Sequence, residues 1–170
     1  MNGTGRWKAV LCVILTIVQM SYIFVMSAQN SEDSSVISAF VSKIVGQFTV
    51  GDFRNKTSEE QDNIVSAIDS PLREAAHFIE YAILGILLYL SVYFCFAGRG
   101  KESIYLLPAS GIGMLYAISD EVHQIFVPGR AFEFFDIAVD ISGTVAGALV
   151  AFGLIRSAKK KTLTEKHKHP

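Results

Sequence analysis

Ser119-Asp120-Glu121-Val122-His123-Gln124-Ile125-Phe126-Val127-Pro128-Gly129-Arg130 closes an apolar block, residues 104–127, that has the length of a bilayer crossing. Within that block it sets two acids, an imidazole and an amide almost side by side. Ionisable groups in a membrane segment are costly and rare, and by default they mark a functional site. Reading this stretch as the polar end of a membrane helix decides the fold expected around it.

Working outward, 51% of the chain is apolar, and the apolar residues gather in long blocks. Four of them, residues 9–26, 75–96, 104–127 and 134–155, approach or exceed the roughly 20 residues that cross about 30 Å of hydrocarbon. The expected fold is an all-α integral membrane bundle of four transmembrane helices with an amphipathic extracytoplasmic helical loop. Its parts are a cytoplasmic N-terminus (1–8), a membrane domain (9–155) with an outer loop (27–74), and a basic cytoplasmic tail (156–170). With both termini inside, Lys and Arg favour the cytoplasmic side about two to one, as the positive-inside rule requires. Arg6 and Lys8 ahead of residues 9–26 also suit a signal peptide. That apolar run exceeds the roughly 7–15 residues of a signal core, so an uncleaved first helix is expected.

The net charge of −1 predicts no nucleic-acid partner. Cys12 and Cys95 sit in apolar blocks without a Cys-x-x-Cys partner, which leaves zinc-ribbon and thioredoxin-like readings without support. No Gly-rich phosphate loop, Gly-x-Ser-x-Gly elbow or His-Glu-x-x-His run is present, so the familiar soluble chemistries have no motif here.

In the outer loop, Val36, Ile37, Phe40, Val41, Ile44, Val45 and Phe48 recur at helical spacing, with Ser34 or Ser35 as a cap. They predict an amphipathic helix whose apolar face lies on the bilayer surface or the bundle top. Ser58-Glu59-Glu60-Gln61 has the spacing of a capping box. Ser70-Pro71 reads as N-cap and first residue of the second crossing. The short link Gly98-Arg99-Gly100-Lys101 makes the second and third crossings an antiparallel hairpin. In the fourth, Asp136, Asp140, Gly143 and Gly147 form one line, and Gly143-x-x-x-Gly147 lets that helix approach a partner closely.

Depth groups the polar residues. With a rise of about 1.5 Å per residue, Glu80, Asp120 and Asp140 all fall roughly 8–10 Å below the outer boundary. His77 shares a helix face with Glu80. Tyr116, Asp120, His123 and Gln124 share a stripe, and Glu121 points about 100° away from Asp120. The acids Glu80, Asp120, Glu121, Asp136 and Asp140 outnumber the cations Arg73 and Arg130, with His77 and His123 of unassigned charge. A buried excess of carboxylate must be protonated, hydrated or paired with a cation. These states correspond to proton transfer, a water-filled substrate pocket or a metal site.

The pattern resembles the VanZ-like family of small bacterial membrane proteins. The resemblance rests on Ser27-Ala28-Gln29, His77-Phe78-Ile79-Glu80-Tyr81, the 119–130 run, and Asp136-Ile137-Ala138-Val139-Asp140 followed by Ser142-Gly143. It covers all four apolar blocks. It implies a multi-pass cell-membrane protein, often of Gram-positive bacteria, in a family named for glycopeptide (teicoplanin) resistance, and it carries no catalytic assignment. The motif residues it transfers are Gln29, His77, Glu80, Asp120, Glu121, His123, Gln124, Arg130, Asp136 and Asp140.

The first expectation is an outward-facing site that binds or modifies a membrane lipid or a lipid-linked cell-wall precursor. Arg73 and Arg130 hold phosphate or carboxylate, with Gln29, Tyr116, Glu121 and Gln124 as further binding residues. His77 and His123 act as acid and base. They are oriented by Glu80 or Asp120, while Asp136 and Asp140 tune them or hold a metal. His77, Glu80, Asp120 and His123 are the candidate ligands for a divalent ion. Alternatives are a binding or shielding protein without chemistry and an ion-coupled transporter. The transporter would need a dimer, because the inner halves of the blocks carry no acid or imidazole. A divalent metal and a homo-oligomer stay open at this point.

Overall fold

A computed structural model describes residues 3–96 and 100–168. The links Gly98-Arg99 and the terminal His169 fall outside the described residues. Five α-helices follow one another: α1 (Gly3–Ser27), α2 (Ser31–Thr49), α3 (Ser58–Phe96), α4 (Leu106–Gln124) and α5 (Phe134–Lys168). Short 3-10 turns at Phe53–Asn55 and Glu102–Tyr105 join them. The all-α membrane bundle expected from the sequence is what forms.

Among the described residues, three helices are long and apolar enough to cross a membrane, over Gly5–Ser27, Ser58–Phe96 and Phe134–Glu165. The expected fourth, α4, has 19 residues and is not among them. Pro108, Ser110, Gly111 and Gly113 and the polar end Asp120 to Gln124 dilute its apolar content. Helix α4 is instead packed on α3 and α5, with a lesser contact to α1. Across the bundle, residues such as Val10, Leu11, Ile14, Ile17, Val18, Leu149 and Leu154 stay exposed. An exposed apolar belt is costly in water and natural against hydrocarbon.

Helix α3 is the axle, with α1, α2, α4 and α5 all packed on it. Its heaviest seam is with α5, and the reason is steric. A Cβ on Gly143 would meet the Phe78 carbonyl, one on Gly147 the Ala82 carbonyl, and one on Gly85 the Thr144 carbonyl. Three missing side chains thus let two backbones touch, the contact that small-xxx-small spacing provides in membranes. The partner predicted for Gly143-x-x-x-Gly147 is α3. The core continues through Tyr81, Leu84, Leu88 and Tyr89 of α3 with Ala109, Ala117, Ala148 and Ala151. At the far end from Ser27, Lys159 pairs with Glu102 at 2.5 Å, and Lys8 lies 5.7 Å from the Phe94 ring centroid.

Local readings shift in three places. Helix α3 runs unbroken through Pro71 rather than starting there; Ser70 Oγ donates to Glu74 Oε1 at 3.1 Å instead of capping. A mid-helix proline forfeits one backbone bond at a cost of about 3 kcal/mol or more; α3 continues through it with α1, α2, α4 and α5 packed along its length. The capping box sits one residue earlier than read, with Thr57 N–H donating to Glu60 Oε2 at 2.9 Å and Glu60 N–H to Thr57 Oγ1 at 3.3 Å. Helix α2 starts at Ser31, ahead of the expected caps, and the Ser34 N–H donates to the Asn30 carbonyl.

Helix α2 turns its apolar stripe outward, the first of the two orientations expected of it. It packs chiefly on α3 and the turn after it, and the side it offers them is polar and small. Ser42 is fully buried, and Ser38 and Ser42 both donate to Asp69 Oδ1 on α3. Val36, Phe40, Ile44 and Phe48 face away from protein. The apolar stripe therefore does not cover the bundle top.

Candidate functional site

The cavity of interest lies at the Ser27 end of the bundle and has a volume of about 190 Å³. Its polar wall is Ser27, Gln29, Arg73, His77, Glu80 and Arg130, together with Ser34 and Ser38. Its apolar wall is Met26, Ile37, Val41, Leu72 and Ala76. One chamber thus joins the end of α1, the base of α2, one face of α3 and the loop after α4. Five of the twelve side chains singled out from the sequence line it: Gln29, Arg73, His77, Glu80 and Arg130.

Asp140 stands behind this wall. Its Oδ1 lies 3.5 Å from His77 Nδ1, with the carboxylate 2% and the imidazole 22% exposed. The Gly143 and Gly147 seam brings α5 close enough to α3 for this pairing. At that distance the pair is electrostatic more than a formed hydrogen bond. Asp120 takes a parallel position. Ser27 Oγ, on the cavity wall, donates to Asp120 Oδ2 at 2.7 Å, and the fully buried Tyr81 neighbours the same carboxylate. Glu80, Asp120 and Asp140 lie within electrostatic reach of one another.

Arg130 closes the rim through α4's following loop. Its guanidinium donates to the Gln29 carbonyl at 3.3 Å, to Gln124 Oε1 at 3.4 Å and to Ser34 Oγ at 3.2 Å. Gly129 before it takes a positive φ of 76°, a conformation glycine adopts without a side-chain penalty. Burial first, and the neighbouring Arg73 second, pull the Arg130 pKa below its ordinary value, while Asp120, Asp136 and Glu121 oppose them. A guanidinium stays charged through such a shift. Two like charges at one rim form an anion-attracting edge.

The remaining candidates have other partners. Glu121 is buried and accepts the Glu133 N–H at 2.6 Å, which caps the start of α5; it faces a different neighbour from Asp120, as its angle predicts. Tyr116 donates to the Met20 carbonyl at 2.6 Å and ties α4 to α1. Gln124 anchors Arg130. Asp136 is within electrostatic reach of His77, Glu121 and Arg130 but lines no part of the cavity. His123 stacks on Phe24 with ring centroids 4.5 Å apart and is likewise off the cavity wall. Among the described residues, no three His, Cys, Asp or Glu side chains are grouped to hold a metal ion, so His77, Glu80, Asp120 and His123 do not form a ligand set.

Among the described residues, six buried polar atoms lack a well-formed hydrogen bond: His77 Nδ1, Tyr81 Oη, Asp120 Oδ1, His123 Nε2, Gln124 Nε2 and Asp140 Oδ1. Buried polar groups are nearly always bonded, so a concentration of exceptions calls for a reason. Of the six residues, His77 lines the cavity, and His77, Tyr81, Asp120 and Asp140 are mutual neighbours. Ser27 and Tyr81 are site residues that sequence reasoning left out of its candidates. The signal for Tyr81 was there, four residues after His77 on the same helical face.

The VanZ/LLP1 family model matches residues 12–156. The chain belongs to the VanZ/LLP1 family. The match runs from within α1 to within α5 and takes in every residue of the cavity wall, so this VanZ/LLP1 chain carries its site wholly inside the matched region. No curated protein and no solved structure matches it.

Proposed function

We propose that this VanZ/LLP1 protein uses the cavity as an outward-facing site in the plasma membrane, with both termini cytoplasmic and α4 as a fourth crossing. The site binds an envelope lipid or lipid-linked wall precursor by its headgroup and does acid–base chemistry on it with His77. The observation that carries the reading is the cavity wall itself, where Arg73 and Arg130 flank His77 and Glu80 opposite an apolar side. Guanidinium groups suit phosphate and carboxylate. Asp140 beside Nδ1 favours the tautomer with the proton on that nitrogen, which leaves Nε2 as the base. Glu80, Asp120 and Tyr81 supply further proton-carrying groups nearby.

A second reading, binding or shielding without chemistry, is favoured by one observation. His123 is packed on Phe24, which leaves the cavity one imidazole instead of the acid–base pair expected. Either reading suits a family named for glycopeptide resistance, since a wall precursor can be altered or covered.

The test incubates the purified protein in nanodiscs with envelope lipid and follows lipid masses. Conversion of one lipid class, abolished by His77→Gln and by Asp140→Asn, is the expected result. Retention of a lipid class without conversion favours the second reading. Neither retention nor conversion overturns both.

A further inference from the structure

The outward apolar face of α2 adds something the headgroup site alone does not. Helix α2 buries Ser42 and Gly46 against its neighbours, with Ser38 half-buried, and leaves Val36, Phe40 and Phe48 70%, 66% and 87% exposed. Lys43 flanks that apolar face beside Val36. Two of its residues have a double membership. Ile37 and Val41 are 51% and 40% exposed, yet they also line the cavity. The apolar wall therefore runs without a break from inside the chamber to the outer surface of the helix. Opposite them, Leu72, Ala76 and His77 open the stretch of α3 that becomes wholly apolar. Helix α2 begins only a few residues after the membrane helix α1 ends, so the base of α2 sits at the bilayer boundary. A large exposed apolar face at that level has acyl chains as its natural contact.

We infer that the cavity opens sideways to the bilayer between α2 and α3, and that its ligand is a chain-bearing anionic amphiphile drawn from the leaflet. The headgroup lies toward Arg73 and Arg130, and a chain leaves along Ile37 and Val41. This rests on the headgroup reading for the identity of the polar end, while the sideways opening stands on the α2 face alone. Helix α2 is held in this position by Asp69, which receives both Ser38 and Ser42. A water-soluble headgroup without a chain would leave the apolar half of the chamber unused.

Quenching by brominated lipid tests both parts. Trp7 is the single tryptophan, and Trp7→Phe clears the background. Ile37→Trp then reports from the cavity wall, and Phe40→Trp reports from the outer face should the first variant fail to fold. Vesicles carry phosphatidylglycerol or phosphatidylcholine brominated on the chains, at equal mole fraction. Quenching at position 37 is expected to be several-fold stronger with the anionic lipid, and Arg73→Gln with Arg130→Gln should remove the difference. Equal quenching by the two lipids upholds the sideways opening and overturns anion selection. Quenching by aqueous iodide with neither bromolipid effective overturns the opening, whatever the site binds.

Discussion

His77 Nδ1 and Asp140 Oδ1 stand 3.5 Å apart across the seam between α3 and α5, the acid sealed and the imidazole facing a cavity. Asp140 Oδ1 has no well-formed hydrogen bond, and as the carboxylate oxygen beside Nδ1 it favours the ring proton on that nitrogen over Nε2. Asp140→Asn should keep the fold and scramble that choice. Nitrogen-15 spectra of labelled histidine are expected to show one tautomer of neutral His77 in the parent and a mixture in the variant. An unchanged spectrum would mean that Asp140 does not orient the ring. Where the protein performs acid–base chemistry, the same change should slow it by about 10²-fold or more.

Close approach of α3 and α5 is the condition for that pairing. Gly147→Leu drives a side chain into the Ala82 carbonyl; it should destabilise the folded bundle by roughly 3 kcal/mol or more, above the usual range for overpacking because backbone cannot yield. Gly111→Ala, with nothing within 4 Å of its added carbon, should leave thermal stability in detergent unchanged or slightly raised. Equal effects from the two changes would remove the glycine seam as the organising contact.

Glu121 is read here as a cap rather than a binding residue. Its removal by Glu121→Ala leaves the Glu133 N–H without its 2.6 Å acceptor and should cost about 1–2 kcal/mol. Glu121→Gln keeps an acceptor and should lose less than half of that. Lipid binding, measured alongside, should be similar in both variants and the parent.

Asp69 fastens α2. Asp69→Ala breaks the Ser38 and Ser42 bonds together, and limited proteolysis should then cut residues 31–57 many times faster while the rest of the bundle resists. Cleavage at the parental rate would show that packing against α3 holds α2 without those bonds.

Much of this arrangement was legible before any coordinates. Helical rise alone put Glu80, Asp120 and Asp140 at one depth, and the Gly143 and Gly147 spacing named the face that carries Asp140. What stayed hidden followed from neighbours rather than from pattern. Periodicity finds the apolar stripe of α2 but leaves open whether it lies on the bilayer surface or the bundle top, because the choice depends on what the opposite side of the helix packs against. Pro71 looked like a helix start, since a sequence gives no sign of the packing that lets a helix run through it. His123 shares a stripe with Asp120, yet Phe24 on another helix claims its ring. Ser27 could be tied to Asp120 only across 93 residues of chain, a distance no local spacing reports.

The central claim is that Arg73 and Arg130 hold an anionic lipid headgroup at the cavity beside His77. Native mass spectrometry of the protein extracted from its membrane, against the Arg73→Gln/Arg130→Gln double variant, measures this directly. The account predicts anionic lipid bound to the parent at about one molecule per chain, as one cavity allows, and lost from the variant with folding intact. The same lipids bound in the same amounts to both would contradict it.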